Sequence, residues 1–166
     1  MNKRPASSHY PIVIAAVTFV ILMVVAGIRS ASGVLLVPLE NAMGWSIASI
    51  SVAVAINVAL YGVIGPFAAA FMERFGMRKM ILIALALMAL STAASTYVMT
   101  PLQLALTWGV GVGVGIGVIS MVLAAIIATR WFARHRGLVY GALTGATAAG
   151  QLVFLPLLAW TAQTFG

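Results

Sequence analysis

Long uncharged stretches separate short clusters of charge along this 166-residue chain. No charged residue occurs at positions 41–72, and none occurs at 80–129. Because the apolar residues run continuously and do not alternate with polar ones, they predict helices and not barrel strands. About 20 apolar residues are enough for a helix to cross the hydrocarbon core of a bilayer. The pattern therefore predicts an all-α fold, a polytopic membrane bundle of five transmembrane helices.

Turn signals divide the predicted bundle into its spans. The spans are expected at about 12–37, 47–72, 80–98, 102–128 and 137–162, after an N-terminal segment of residues 1–11. Pro38 is expected to end the first span, because proline cannot continue a helix without losing a backbone hydrogen bond. Thr100 and Pro101 separate the third span from the fourth in the same way.

Composition excludes most other classes of protein. The chain is 63% hydrophobic and 7% charged, whereas a soluble domain carries about a quarter of charged residues. The sequence contains no Cys and no Asp, and its two Glu residues are predicted on opposite sides of the membrane. His9 and His135 have no metal-ligating neighbour at a useful spacing. We therefore predict that the protein is not an enzyme and that it has no catalytic residue, no metal site and no cofactor.

Eight of the nine Lys and Arg residues fall at one side of the predicted bundle, before span one, after span two and after span four. They are Lys3, Arg4, Arg74, Arg78, Lys79, Arg130, Arg134 and Arg136. The other side carries none of these and holds Glu40. By the positive-inside rule, the basic side and the N-terminus are cytoplasmic. The net charge of +7 is thus a topology signal and not a nucleic-acid footprint. We expect an integral protein of a bacterial inner membrane.

The segment between spans two and three reads Glu-Arg-Phe-Gly-Met-Arg-Lys, residues 73–79. A positive-inside loop accounts for its basic residues but not for its acid or its glycine. An acid at a membrane interface costs free energy unless it is paired, so Glu73 is expected to pair with Arg74. Gly76 is expected to allow a tight reversal between the helices.

Residues 69–79 resemble the loop between helices two and three of major facilitator superfamily transporters, which has the pattern Gly-x-Leu-x-Asp-Arg-x-Gly-Arg-Arg/Lys. Glu73 stands at the acidic position, Arg74 and Gly76 match, and Arg78 and Lys79 supply the basic end. Two further segments are similar to the monocarboxylate and oxalate–formate porter branch of that superfamily. They are Ser32-Gly33-Val34 to Ser49, and Arg130-Trp131-Phe132 to Pro156.

This resemblance implies transport of a small organic anion by alternating access, with a proton or a counter-anion as the expected coupling partner. Members of the branch have twelve helices, so the chain would be an incomplete six-helix half whose partners include missing C-terminal helices. The cytoplasmic loops would brace one gate through Glu73, Arg74, Gly76, Arg78, Lys79, Arg134 and Arg136. The alternative is a truncated or auxiliary membrane protein without transport activity of its own.

Arg29 is the one charged residue that the sequence places well inside a span. A charge there costs about 3 kcal/mol or more and usually faces a cavity or a partner. Alternatively, Arg29 snorkels to the outer interface, which would shorten span one to 12–28. A cavity-facing guanidinium suits a carboxylate, which it binds through two hydrogen bonds. Four further polar residues could line the same cavity or pair between helices: Ser30, Asn57, Tyr61 and Gln151.

Glycines recur at helical spacing in spans four and five. Gly113 and Gly117 lie four residues apart, as do Gly141 and Gly145. Small residues allow membrane helices to approach closely, so both pairs are predicted to pack against other helices. The alternating glycines of span four also contain a Gly-x-Gly pattern, but an apolar span is the wrong context for a dinucleotide-binding loop.

Overall fold

The computed structural model describes residues 10–119, 121–132 and 134–165. Its helices are α1 (Tyr10–Met43), α2 (Ile47–Phe75), α3 (Met77–Ser95), α4 (Pro101–Leu104), a π-helix (Ala105–Val112), α5 (Gly113–Val118), α6 (Met121–Trp131) and α7 (Arg136–Phe165). We call residues 101–131, from α4 to α6, span four. Five stretches are long and apolar enough to cross a membrane: Tyr10–Val34, Ile47–Phe75, Met77–Ser95, Pro101–Trp131 and Arg136–Ala162. The predicted five-helix membrane bundle is therefore confirmed.

The prediction that Pro38 ends the first helix is wrong. Helix α1 continues through Pro38 to Met43. Proline removes one backbone hydrogen bond from a helix, but membrane helices tolerate the loss because neighbouring groups and local adjustments satisfy the freed carbonyl. Helices α2 and α7 likewise contain Pro66 and Pro156.

Other residues form the turns at the helix ends that lie opposite the charged segment 73–79. Gly44 follows α1 with φ of +66°, a left-handed conformation that favours glycine after a helix. The hydroxyl of Ser46 accepts a backbone hydrogen bond at the start of α2. Span four begins with a capping box between Thr100 and Gln103, and Pro101 occupies the first turn, where its missing N–H costs nothing. The sequence predicted a turn at Thr100 and Pro101, and the structure has one there.

Span four lies at the centre of the bundle, against both α2 and α3, while α1 packs mainly against α7. In its most apolar 18-residue window 65% of the residues are buried, against 11–28% in the other four spans. The sequence predicted one continuous α-helix over 102–128. The structure instead divides this span into α4, the π-helix, α5 and α6.

The alternating glycines of span four form two packing faces. Gly109, Gly113 and Gly117 lie against α2, and a Cβ atom at Gly113 would stand 3.0 Å from the Cα atom of Asn57. Gly111 and Gly115 lie against Ser91 and Met88 of α3. Glycines spaced two apart fall alternately on two sides of one helix, so a single run of five serves both neighbours.

Gly141 and Gly145 differ from the glycines of span four. Within the described structure, a Cβ atom added at either residue would meet no heavy atom within 4 Å. Helix α7 packs on α1 through Gly150, which lies against the carbonyl oxygen of Met23. Within these five spans, then, the predicted packing of Gly141 and Gly145 is not observed.

Candidate functional site

Arg29 and Tyr61 meet across the contact between α1 and α2. The Cζ atom of Arg29 lies 4.7 Å from the centre of the Tyr61 ring, which is the range of a cation–π interaction. Arg29 is exposed and Tyr61 is half-buried. The structure thus brings together two of the five residues predicted to line a substrate cavity.

This contact joins the midpoint of α2 to the second half of the first membrane-spanning stretch, Tyr10–Val34. Tyr61 is the central residue of the 29-residue helix α2. Helix α1 extends past Arg29, and the membrane-spanning stretch continues to Val34 and does not stop at Ile28. The contact with a ring at the midpoint of α2 favours the cavity-facing interpretation of Arg29 over the snorkelling one.

The hydrogen-bonding capacity of Arg29 is unused within the described part of the chain. The side chain makes no hydrogen bond there and no ion pair with either of the chain's two carboxylates, Glu40 and Glu73. A guanidinium has five N–H donors in one plane. The Tyr61 ring attracts the positive charge through its quadrupole and occupies none of these donors. Within the described structure, the arrangement therefore leaves the guanidinium against the Tyr61 ring with its N–H donors unoccupied.

Asn57 lies one turn from Tyr61 on α2 but makes a different contact. Its side chain is buried, and Nδ2 donates a 3.0 Å hydrogen bond to the carbonyl oxygen of Trp108 in the π-helix. Such π-helical turns are rare and often lie at functional sites. The hydrogen bond joins α2 to span four. Of the two roles considered for Asn57, lining a cavity or pairing between helices, the structure shows pairing between helices. No side-chain pattern indicates in advance that the main-chain carbonyl of Trp108 is the acceptor.

Ser30 and Gln151 do not join this pair. The hydroxyl of Ser30 donates a 2.9 Å hydrogen bond to the carbonyl oxygen of Ala26 on its own helix. Gln151 is exposed on α7, and no described hydrogen bond connects it to Arg29 or Tyr61. The polar cluster predicted from five residues is therefore reduced to the contact of Arg29 with Tyr61, flanked by Asn57.

At the basic end of the bundle, the charged segment is built differently from the loop that the sequence predicts. Helix α2 ends at Phe75 and α3 begins at Met77, so Gly76 alone separates them. Gly76 has φ of +90°, where a side chain would be strained, and its N–H donates to the carbonyl oxygen of Met72. The tight reversal expected at Gly76 is observed, but residues 73–75 and 77–79 are helical.

The expected pairing of Glu73 with Arg74 is absent from the described structure. The guanidinium of Arg74 lies over the Phe75 ring instead, with 5.6 Å between Cζ and the ring centre. Neighbouring residues on a helix point in different directions, which explains why the two side chains do not meet.

Glu73 lines a cleft between the end of α2 and the end of span four. The cleft has a volume of about 300 Å³ and is lined by Met72, Glu73, Met77, Ile126, Thr129 and Arg130.

The remaining basic residues of the predicted gate are exposed near the helix ends; they are Arg78, Lys79, Arg134 and Arg136. Arg130 belongs to the basic segment 130–136 that follows span four, and it lines this cleft together with Glu73.

The described residues contain no group of three or more His, Cys, Asp or Glu side chains able to hold a metal ion. The main chemical feature of the site is the exposed guanidinium of Arg29, which rests on the Tyr61 ring. A guanidinium can donate two parallel hydrogen bonds to a carboxylate.

A comparison with protein-family models supplies the family. The model of the Major Facilitator Superfamily matches residues 17–166. No curated protein and no solved structure matches the chain. The match covers four of the five membrane-spanning stretches completely and the first from residue 17 onwards, and it includes the segment around Gly76. The chain is an integral membrane protein, and it belongs to the Major Facilitator Superfamily of membrane transporters.

Proposed function

We propose that this protein transports a small organic anion with a carboxylate group, by alternating access, as a member of the monocarboxylate and oxalate–formate porter branch. The observation that carries the proposal is Arg29, which is exposed, contacts the Tyr61 ring at the midpoint of α2 and has no carboxylate partner in the described structure. Transporters of this architecture bind substrate near the middle of the bilayer.

The free energy of an unpaired charge supports this assignment. An arginine at the centre of a membrane helix costs about 3 kcal/mol on insertion scales, so such residues mark a pathway or a partner. The fork of N–H donors matches the two oxygens of a carboxylate. The free donors of Arg29 therefore favour a carboxylate over a neutral or cationic substrate.

The cytoplasmic charges are assigned to the gate in this proposal. Glu73, Arg74, Arg78, Lys79, Arg134 and Arg136 would brace the inner side as the bundle rocks, with Gly76 as the tight connection between α2 and α3. Transport would be coupled to a proton or to a counter-anion. The family membership favours a transporter over an auxiliary protein without activity of its own.

An uptake screen tests the substrate class. The protein, expressed from its complete reading frame, is reconstituted in liposomes and offered formate, oxalate and monocarboxylates of two to four carbons. The assay is run at pH 8, where carboxylic acids with pKa near 4 are ionised and cross lipid slowly on their own. We expect saturable uptake of at least one carboxylate, and none of its neutral amide. A proton gradient and an internal counter-anion are imposed separately to identify the coupling.

The screen has a protein-free control and one outcome that would contradict the proposed substrate class. Liposomes without protein measure leakage, and they are expected to show no saturable uptake. Saturable uptake of a sugar or a cation, with none of any carboxylate, would contradict the proposed substrate class.

We also propose that the N-terminus and the basic helix ends face the cytoplasm, because basic residues concentrate on that side. The chain has no Cys, so a single introduced cysteine reports on one position. In intact cells, a membrane-impermeant maleimide is expected to label Glu40→Cys and to label Lys79→Cys only after permeabilisation. Labelling in the reverse order would show that the protein is inserted the other way.

A further inference from the structure

Tyr61 makes its described contact with Arg29 through its ring. No hydrogen bond of the Tyr61 hydroxyl is found among the described residues, whereas the ring centre lies 4.7 Å from the Cζ atom of Arg29. The ring is also half-buried, at the edge of the main apolar core. A ring packed in this way is a fixed surface for a flexible side chain.

We infer that Tyr61 is a positioning residue, whose ring holds the Arg29 guanidinium in place for an incoming carboxylate. The inference rests on the proposed function. It adds how the side chain of Arg29, the proposed substrate-binding residue, is oriented before the substrate binds. Arginine loses considerable rotamer freedom when it is fixed. If the ring restricts Arg29 before the substrate arrives, less of that entropy is lost on binding.

A ring has an advantage over a carboxylate at this position. A carboxylate beside Arg29 would occupy the same N–H donors that a substrate carboxylate needs, so it would compete with the substrate. An aromatic face attracts the positive charge and leaves those donors available. The sequence suggested a cavity-lining role for Tyr61 as a polar group. The contact instead assigns the role to its aromatic face.

Two substitutions separate the ring from the hydroxyl. Tyr61→Leu removes the ring and is expected to raise KM for carboxylate uptake about 5- to 30-fold, the range of a partly desolvated cation–π contact. The maximal rate is expected to fall much less, because the guanidinium itself remains. Tyr61→Phe keeps the ring and is expected to restore most of the lost affinity. A KM for Tyr61→Phe as high as that for Tyr61→Leu would overturn the inference in favour of the hydroxyl.

A double-substitution cycle tests the contact without any substrate. Melting temperatures are measured for Arg29→Gln, Tyr61→Leu and the combined variant. If the two side chains interact, the combined loss is smaller than the sum of the two single losses. Additive losses, with carboxylate uptake by the unsubstituted protein intact, would overturn the inference about Tyr61 alone. Absence of carboxylate uptake by the unsubstituted protein would overturn the proposed function, and with it the positioning role, whatever the cycle shows.

Discussion

Replacing Arg29 with glutamine is expected to reduce carboxylate uptake about 100-fold or more. Glutamine keeps hydrogen-bonding groups but is shorter than arginine and loses both the charge and the fork of donors. Removing one partner of a desolvated, hydrogen-bonded charge pair costs about 2–5 kcal/mol, and each 1.4 kcal/mol is a factor of ten in affinity. The quantity to measure is the ratio of maximal rate to KM in proteoliposomes.

Arg29→Lys is the matched control for this substitution. Lysine retains the positive charge but offers a compact ammonium and no planar fork. We expect it to retain more uptake than Arg29→Gln and less than the unsubstituted protein. The melting temperatures of both variants show whether the bundle remains folded. Uptake by folded Arg29→Gln equal to that of the unsubstituted protein would remove Arg29 from the binding site.

The overall architecture could be predicted from the sequence because the lipid bilayer, as the solvent of this chain, restricts the structures that can cross it. Continuous apolar runs specify helices in lipid, where every backbone group must find an internal partner. The side of the membrane assigned to each loop followed from charge alone and remains a prediction. The exact helix ends could not be predicted from these rules. Pro38 stops many helices in water, yet α1 continues through it.

The candidate site was predicted only in part, and for a physical reason. Arg29 is recognisable in sequence because a charge inside a membrane span is costly. Its contact with Tyr61 depends on how α1 and α2 are rotated against each other, which a single sequence does not specify. Asn57 was recognisable as a polar group that needs a partner. Its acceptor, the Trp108 carbonyl, belongs to the main chain, and no side-chain pattern points to it.

The glycines show most clearly that residue spacing alone does not predict which helices are in contact. The spacing of four residues is identical in Gly113 and Gly117 of span four and in Gly141 and Gly145 of α7. The spacing predicts a smooth face in both helices, but not whether another helix lies against that face. Span four has neighbours on two sides, and the described structure leaves the corresponding face of α7 open.

This difference between the glycines leads to a paired prediction. Gly117→Val is expected to lower the free energy of unfolding by about 3 kcal/mol, at the upper end of the usual cost of overpacking. A Cβ atom at Gly117 would stand 2.8 Å from the Cβ atom of Ile64 and 3.3 Å from the carbonyl oxygen of Leu60. Neither atom is the end of a flexible side chain, so α2 and span four would have to separate.

Gly141→Val is the matched control, because it makes the same change at a helical glycine with open space around it. With open space around the new side chain, its effect on the free energy of unfolding is limited to the difference in helix propensity, and valine is no worse a helix former than glycine. Intrinsic fluorescence of the four Trp residues during heating in detergent measures both variants. We expect a large loss of melting temperature for Gly117→Val and little change for Gly141→Val. Equal losses would show that the open face of α7 is covered in the folded protein, and the contrast between the two helices would then be wrong.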